Sequence, residues 1–347
     1  MRNTILLTGI FILNFLFISE SIAQKNYTIA TIGFYNLENL FDTLDTPDVL
    51  DTEFSPEGSK LWNAEKYQIK QNNLAKVISE LGTNKNKDGV TLLGVSEIEN
   101  RSVLEDLVNH PALKDRKYRI VHFDSPDRRG IDVALLYQGN RFRVLEAEPL
   151  EIGIYDGLDK IFTREILYVK GLLDGEEIYV LVNHWPSRRG GEAKTAPWRA
   201  AGAQLCKNVL DSLQEANKDI KMVIMGDLND DPNSPSVKNI LNAKFKIKDV
   251  QENGLFNPMA QYFSRGQGSN AYRDTWSLFD QLIISEPFID NDLTGYTYLN
   301  AYVYNKKYLR QKKGHFKGYP FRTFSGDEFL GGYSDHFPVY LHLIKEF

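Results

Sequence analysis

The stretch Met222–Pro232, MVIMGDLNDDP, decides how the rest of the chain is interpreted. Its apolar start predicts a buried strand that ends at Gly226. Asp227 and Asn229 then lie two residues apart in an extended tip, so their side chains share one side. A carboxylate beside an amide suits the binding of a metal-held phosphate, whereas an Asx-rich turn that caps a core strand is the alternative.

The first residues have the features of a secretory signal peptide. Arg2 precedes an apolar run over 5–18, and Ala23 fits the small-residue position of a cleavage site. The run is short for a membrane span of about 20 residues, so a retained membrane anchor is the weaker alternative. We therefore expect a signal peptide over 1–23, one domain over 24–347, and export to the periplasm or the medium.

Composition limits the kinds of protein that this chain can form. It has 347 residues, a net charge of −5 and a single cysteine, Cys206. One cysteine forms no intrachain disulfide, so packing must stabilise an exported fold, with Cys206 as a buried small hydrophobe. The acidic balance argues against strong non-specific binding of nucleic acid by the surface as a whole.

Apolar periodicity predicts strands that alternate with two substantial helices. The sequence shows no repeat, low-complexity tract or domain linker. This pattern favours a sheet-and-helix sandwich over a doubly wound sheet. The strands are predicted at 27–35, 90–95, 118–123, 131–137, 142–145, 166–173, 177–182, 222–225, 280–284 and 339–344, and the two helices at 64–81 and 198–213.

Polar residues of one repertoire occur where these apolar strands begin or end. Carboxylates, amides and imidazoles recurring at strand ends are what a site at a sheet edge requires. Oxygen ligands with few imidazoles suit Mg²⁺, Mn²⁺ or Ca²⁺ better than zinc. The sequence has no G-x-S-x-G, P-loop or H-E-x-x-H pattern, which argues against acyl transfer and nucleoside triphosphate use. The strand-end residues are Asn36, Glu97, His184, Asp227, Asn229, Asp280, Asp335 and His336.

Seven motifs follow one another in the order FYNLENL, VSEIEN, RRGIDVALLY, VNHWPSR, MGDLND, WSLFDQLIIS and YSDHFPV. In these motifs the chain resembles the endonuclease/exonuclease/phosphatase superfamily, which includes pancreatic-type deoxyribonuclease, abasic-site exonucleases, inositol polyphosphate phosphatases and neutral sphingomyelinases. The resemblance covers nearly the whole chain after the signal peptide. It implies an α/β fold, a four-layered α/β sandwich with two central mixed β-sheets flanked by helices, whose site lies at one edge.

The resemblance also implies metal-dependent hydrolysis of phosphate esters and a role for each strand-end residue. Glu97 is expected to be the main metal ligand, with Asn36 and Asp335 beside it. Asp227 and Asn229 are expected to orient the attacking water and to hold the phosphate. The expected cofactor is Mg²⁺, with Mn²⁺ or Ca²⁺ as alternatives.

Two histidine–carboxylate pairs complete the implied site. His336 is expected to pair with Asp280, and His184 with Asp132 of RRGIDVALLY. Phosphodiester hydrolysis needs a base near neutral pH and an acid for the leaving oxygen, and histidine supplies both. A carboxylate partner fixes the tautomer of each ring and raises its pKa. The other histidines that we considered, His110 and His315, are expected to have surface or packing roles.

Basic residues near the motifs bear on the substrate. Arg129, Arg188 and Arg322 are predicted to bind it, because guanidinium groups match phosphate bidentately. Basic residues interleaved with aromatic ones are typical of single-strand or backbone binding, and an ordinary solvated face is the alternative. Further members of these groups are Arg128, Arg189, Lys306, Lys307, Arg310, Lys312, Lys313 and Lys317, with the aromatic residues Trp185, Trp276, Tyr304, Tyr308, Tyr319 and Phe321.

Three functions are compatible with the sequence: two share the chemistry and differ in substrate, and the third belongs to another class. The leading one is an exported, monomeric, divalent-metal-dependent nuclease whose partner is DNA or RNA, with no stable membrane association after signal cleavage. A sphingomyelinase-like phosphodiesterase or a small phosphate-ester phosphatase is the alternative, but only Leu330 and Tyr333 could form an apolar wedge for a bilayer. A non-catalytic binding module should have lost site residues, whereas this chain retains the whole set.

Overall fold

The computed structural model describes residues 26–347, and the predicted signal peptide lies outside the described residues. The main strands are β1 (Tyr27–Leu40), β2 (Leu92–Ile98), β3 (Tyr118–His122), β4 (Asp132–Gln138), β5 (Phe142–Leu150), β6 (Ile166–Leu173), β7 (Glu176–His184), β8 (Met222–Asp227), β9 (Leu255–Phe256), β10 (Asp280–Ser285), β11 (Thr297–Val303) and β12 (Val339–Glu346). The α-helices are α1 (Ala64–Glu80), α2 (Arg101–Asn109), α3 (Glu192–Ala216) and α4 (Ala260–Phe263).

Smaller elements decorate the loops. Three two-stranded ribbons pair Tyr155–Asp156 with Asp159–Lys160, Asn270–Tyr272 with Thr275–Ser277, and Phe324–Ser325 with Glu328–Phe329. We call the second of these the rim hairpin. Single helical turns lie at Thr52–Phe54, Lys114–Arg116, Ser236–Ile240, Ile247–Asp249, Glu286–Phe288 and Lys307–Leu309.

The main strands form two six-stranded sheets. The first has the order β11-β12-β1-β2-β4-β3, and the second has the order β9-β10-β8-β7-β6-β5. Both sheets are mixed: β1 runs parallel to β2 and β8 parallel to β7, while β12 and β10 lie antiparallel beside β1 and β8. The parallel strands therefore bring the ends of β1, β2, β7 and β8 to an edge of their sheets.

The two sheets pack face to face around a buried core, and helices cover their outer faces. The inner core joins Ile32 and Phe34 of the first sheet to Val182 and Met225 of the second. Gly94 permits the close approach, because a Cβ atom there would lie 2.5 Å from Met225 Sδ. Separate apolar clusters pack α1 and α2 on the first sheet and α3 on the second. The predicted four-layered α/β sandwich is confirmed.

Two local predictions differ from the structure. The strand β8 continues through Gly226 to Asp227, because both residues keep their partners on β7 and β10. The helix predicted from Trp198 begins at Glu192, and Pro197 lies in its second turn, where proline removes one helix hydrogen bond without ending the helix. Cys206 is fully buried, as predicted. Within residues 26–347, none of the helices has the length and apolarity that a membrane span requires.

Candidate active site

One row of the second sheet carries three of the predicted site residues. Asp227 on β8 is in register with His184 on β7 and with Asp280 on β10. All three residues are buried. Because residues in register on neighbouring strands point to the same face, this row brings their side chains together.

Asn36 connects this row to the first sheet. Its Nδ2 donates a hydrogen bond to Asp227 Oδ2 at 3.1 Å, and its Oδ1 accepts one from the Glu38 backbone N–H at 2.9 Å. The side chain therefore has a fixed orientation at the end of β1. The contact with Asp227 closes the gap between the two sheets at the predicted site.

Glu97 also reaches the site from the first sheet, through an irregularity in β2. The ladder between β2 and β4 shifts register between Ser96 and Ile98, and Glu97 between them has φ 58°. Bulges and positive φ angles in non-glycine residues cluster at functional sites. Glu97 Oε2 accepts the Asn39 N–H at 3.1 Å, and Oε1 lies 3.8 Å from His184 Nε2.

Asn229 is held against Asp227 by its own backbone. Its N–H donates to Asp227 Oδ1 at 3.0 Å, while its side-chain Nδ2 donates to the Trp185 carbonyl at 2.9 Å. A φ angle of 49° turns the chain sharply at this residue. Asn tolerates this conformation better than most residues. Asp227 and Asn229 therefore form the Asx turn that was the alternative, and the predicted extended tip is wrong.

The predicted pair of His336 and Asp280 is present. His336 Nδ1 lies 2.6 Å from Asp280 Oδ2, and the other ring nitrogen lies 3.9 Å from Asp227 Oδ2. Burial lowers the pKa of His336, but the carboxylates of Asp280 and Asp227 outweigh it and hold that pKa well above its usual value. The ring is therefore an imidazolium with Nε2 directed at the neighbouring carboxylate.

The Asp227 carboxylate lies in buried and acidic surroundings, which disfavour its charged form. Burial raises its pKa to about 7, with a further contribution from Asp280 and Glu97, while His336 lowers it. A carboxyl group with this pKa exchanges a proton near neutral pH, which is the property that a general base needs.

The predicted pair of His184 and Asp132 is wrong. Asp132 Oδ2 lies 2.9 Å from His122 Nε2, and its Oδ1 accepts hydrogen bonds from the Ser125 N–H and hydroxyl. His122 is the last residue of β3, so the antiparallel ladder between β3 and β4 brings it beside Asp132. Asp132 therefore fixes the loop that follows β3 and does not orient His184.

His184 lacks the carboxylate hydrogen bond that was expected to raise its pKa. Its Nε2 lies 3.7 Å from Asp227 Oδ2, which is too long for a hydrogen bond, and its Nδ1 is buried without a partner among the described residues. Burial lowers the pKa of His184 well below its usual value, and the charges of Arg164 and Arg129 lower it further. The ring is therefore neutral.

The loop before β12 brings Asp335 to the site beside Arg322. Arg322 Nη2 donates to Asp335 Oδ2 at 2.8 Å. Burial raises the pKa of Asp335, but the positive charges of His336, Arg322 and Lys70 outweigh this effect and lower it. Asp335 is therefore an anion at the mouth of the site.

Sequence reasoning missed the buried ion pair of Glu38 and Lys70, which supports this loop. Lys70 Nζ lies 3.7 Å from Glu38 Oε2 and donates to Thr323 Oγ1 and the Tyr333 carbonyl. Lys70 is 1% exposed although it is a lysine. The signal was available in the sequence, because Lys70 stands four residues before the core residue Leu74 of the same helix.

The three arginines predicted to bind substrate lie at different places. Arg322 is at the site, and Arg129 is near enough to His184 to affect its pKa. Arg188 contacts Asp230 and Asp231 at 3.2 and 3.4 Å and stacks over Phe279, so part of its function is structural. Arg188 also lines, with Arg322 and Asp335, a cleft of about 950 Å³.

Two of the aromatic residues proposed for stacking are not available for it. Trp185 is fully buried, and its Nε1 donates to Asn183 Oδ1 at 2.9 Å. Tyr304 is 6% exposed, and its hydroxyl donates to Glu80. Trp185 follows the end of β7 and belongs to the core that packs α3 on the second sheet, a role that aromatic composition alone does not reveal.

The donor set fits a hard divalent cation. Asn36, Glu97 and Asp335 offer amide and carboxylate oxygens, which Mg²⁺, Mn²⁺ and Ca²⁺ prefer. Asp227, Asp280 and His336 also offer atoms within 4.8 Å of one another, but His336 and Asp280 are already joined by their hydrogen bond. A cation beside Glu97 would oppose the rise in the pKa of Asp227, which burial causes and the carboxylates of Asp280 and Glu97 increase.

A family model described as the Endonuclease/Exonuclease/phosphatase family matches residues 31–345. The chain belongs to this family. Its members are metal-dependent hydrolases of phosphoester bonds, and the protein is therefore an enzyme of this type. No curated protein matches the chain.

Solved structures of this family share the fold at low sequence identity. A Bacteroides thetaiotaomicron family protein has a TM-score of 0.56 at 16% identity and covers 92% of this chain and 96% of its own. A mannosyl-6-phosphatase of the same organism has a TM-score of 0.55 at 16% identity, covering 90% and 99%. D. rerio TDP2 complexed with single strand DNA product has a TM-score of 0.53 at 14% identity, covering 91% and 99%.

Proposed function

We propose that the protein is an exported, divalent-metal-dependent nuclease that hydrolyses phosphodiester bonds in DNA or RNA. The observation that carries the proposal is the cleft of about 950 Å³ that Asp335 helps to line. Arg188, Arg189, Arg273 and Arg322 line this cleft in a chain whose net charge is −5. Positive charge concentrated beside a hydrolytic site supports a polyanionic substrate.

The site residues have complementary roles in this reaction. Glu97, Asn36 and Asp335 would hold Mg²⁺ or a similar cation, whose charge would offset that of the phosphate oxygens. Asp227, which is buried and accepts the Asn229 N–H, would accept a proton from the attacking water, which it orients together with Asn229. The imidazolium of His336, fixed by Asp280, donates its Nε2 proton to the leaving oxygen as the ester bond breaks.

The alternatives have less support from the surface of the protein. Leu330 and Tyr333 are only partly exposed, so they form no apolar wedge of the kind that a bilayer substrate would need. A small phosphate ester is the substrate named for one relative, the mannosyl-6-phosphatase. Such a substrate needs one phosphate position and does not account for a cleft of about 950 Å³ that four arginines line.

The purified protein should be tested on plasmid DNA, single-stranded DNA, RNA, sphingomyelin, inositol phosphates and mannose 6-phosphate, with Mg²⁺ and with EDTA. We expect cleavage of at least one nucleic acid, loss of cleavage with EDTA, and no comparable turnover of the other substrates. Efficient hydrolysis of a lipid or sugar phosphate, with intact nucleic acid, would show that the proposed substrate is wrong.

A further inference from the structure

A second cavity, of about 350 Å³, adjoins the arginine-lined cleft, and Arg322 and Asp335 line both. Its walls come from the rim hairpin and from the segment 311–320, and we call it the aromatic pocket. A volume of this size suits a small ligand or one group of a larger ligand. The side chains that define its chemistry are Tyr272, Gln311, His315, Phe316, Tyr319 and Leu330.

Two of the rings in the aromatic pocket are unusually exposed. Tyr272 is 70% exposed and Phe316 is 49% exposed. Isolated apolar side chains at a surface need no explanation, but two rings that line the same concave pocket offer flat faces to a ligand. The guanidinium of Arg273 lies over the Tyr272 ring, 5.1 Å from its centre, and adds a positive charge to the lining of the pocket.

The pocket is held open by contacts within its own walls. The Gln311 N–H donates to the Tyr319 carbonyl at 2.7 Å, and the Gly318 N–H donates to the Gln311 carbonyl at 2.9 Å. The Tyr319 hydroxyl donates to Asp274 at the tip of the rim hairpin at 2.6 Å. The two walls are therefore joined before any ligand binds, which lowers the entropic cost of binding.

The position of the pocket relates it to the scissile phosphate. Arg322 and Asp335 line both the aromatic pocket and the arginine-lined cleft, as do Ala271, Tyr272 and Arg273. A phosphate that pairs with Arg322 would therefore lie where the pocket and the cleft adjoin. A phosphodiester carries two groups, so one of them can enter the aromatic pocket while the other stays in the basic cleft.

The chemistry of the walls selects one kind of occupant. A flat heterocycle such as a nucleobase stacks on aromatic faces whichever base it is, and the amide of Gln311 can form hydrogen bonds with its edge. A sugar ring requires many hydrogen bonds, whereas Asp335 is the one carboxylate among the described residues that line this pocket. We propose that the aromatic pocket binds the nucleobase attached to one side of the scissile phosphate, an inference that rests on the proposed nuclease function.

Dinucleoside phosphates test the proposal directly. Three compounds are compared: one with both bases, one that lacks the 5′ base, and one that lacks the 3′ base. We expect wild-type KM to rise about tenfold when one particular base is removed, as loss of one stacked base predicts. In Phe316→Ala, KM should no longer depend on the presence of this base, and turnover of the compound that lacks the base should stay unchanged. Phe316→Tyr should retain the wild-type dependence of KM on this base.

Phe347→Ala is the matched control, because Phe347 is 74% exposed and follows the end of β12 that lies away from the site. It should behave as wild type. If wild type cleaves all three compounds equally well, or Phe316→Ala loses activity equally on all of them, the pocket does not bind a base although the nuclease function stands. If wild type cleaves none of the three compounds and also fails to cleave nucleic acids of greater length, the proposed function and the pocket assignment are both wrong.

Discussion

Two histidines of the candidate site differ in charge because their neighbours differ. His336 has three carboxylates within 4.0 Å, and these hold its pKa well above the usual value despite burial. His184 is buried to a similar degree, and this burial lowers its pKa, which the charges of Arg164 and Arg129 lower further. Titratable groups whose pKa values diverge in one site mark its acid and base roles. We infer that His336 acts as the proton donor and that His184 is a neutral ring in the site.

The pair of His336 and Asp280 should act as one unit. His336→Ala is expected to lower kcat by about 10²–10⁴-fold, the range for loss of general acid–base catalysis. Asp280→Asn added to this variant should cost little more, because Asp280 acts by orienting the ring. A double-mutant cycle on kcat, with thermal unfolding measured for all four proteins, tests this. Fully multiplicative losses would mean that the two residues act independently.

The contrast between the two histidines also shows what residue types alone can predict. The pairing of His336 with Asp280, which the family resemblance implied, is correct: Asp280 begins β10 and His336 precedes β12, and these strand starts meet although the strands belong to different sheets. Asp132 was assigned to His184, since the sequence does not show which of two histidines a carboxylate meets. The partner His122 is ten residues away in the chain, and only the ladder between β3 and β4 places it there.

At the scale of elements, α1 holds the loop that carries Arg322 and Asp335. Asn73 Nδ2 donates to the carbonyls of Gly331 and Gly332, and Lys70 contacts Thr323, Tyr333 and Glu38. These contacts join a helix on the outside of the first sheet to the mouth of the site. A change on the buried face of α1 is therefore transmitted to the site.

Lys70→Met tests this support. Removing one partner of a buried ion pair leaves the other unpaired, and we expect the free energy of unfolding to fall by about 3 kcal/mol. Lys76→Met is the control on the same helix, because Lys76 is half exposed and pairs with Glu80 at the surface; its effect should stay within about 0.5 kcal/mol. Urea unfolding measures both values. Equal effects would show that the buried position of Lys70 is unimportant.

The pairing of β1 with β12 should make stability depend on pH through His342. Thr31 and His342 are in register, and Thr31 Oγ1 lies 2.9 Å from His342 Nδ1. Burial, with a contribution from Lys85, lowers the pKa of His342 to about 4. In the unfolded chain the pKa of His342 is about 6.5, so below this pH the unfolded chain binds a proton that the folded protein does not. The free energy of unfolding therefore falls as the pH falls from about 6.5 towards 4.

His342→Gln removes this titration while keeping hydrogen-bonding groups. Its Tm should therefore fall less than that of wild type when the pH is lowered from 7 to 5. Thermal unfolding in a series of buffers at constant ionic strength provides the comparison. If the two Tm profiles run parallel over this range, His342 does not contribute to the acid sensitivity of the fold.

At the scale of the whole molecule, the sandwich was predictable and its rim was not. The central strands are rich in apolar residues. The bounds of β1, β2, β7, β8 and β10 were therefore predicted to within a few residues. The strand β11 (Thr297–Val303) was missed because it is an edge strand with several polar and half-exposed residues. The aromatic pocket was also missed, since its two walls come from segments that are 40 residues apart in the sequence.

The exposed lysines beside the aromatic pocket should bind polymer without affecting chemistry. Lys312→Gln with Lys313→Gln is expected to raise KM for long single-stranded nucleic acid and to reduce the slope of log K against log salt by about 0.7 for each lost phosphate contact. A small diester should be turned over normally. Lys246→Gln with Lys248→Gln, which has the same charge change at another exposed loop, should leave both quantities unchanged. Equal losses on polymer and small diester would indicate a catalytic or folding role.

The most direct test of the account is the metal dependence of oligonucleotide cleavage by wild type and Glu97→Gln. Glu97 places its carboxylate at the meeting point of both sheets, and the glutamine variant keeps the volume while removing the charge. Initial rates are measured on one labelled single-stranded substrate over a series of Mg²⁺ concentrations, with circular dichroism to verify the fold. We predict cleavage by wild type that EDTA abolishes, and a loss of at least about 100-fold in a folded Glu97→Gln at limiting Mg²⁺. Wild-type rates in the variant at limiting Mg²⁺, or cleavage that persists in EDTA, would contradict the assignment of this site as a metal-dependent nuclease centre.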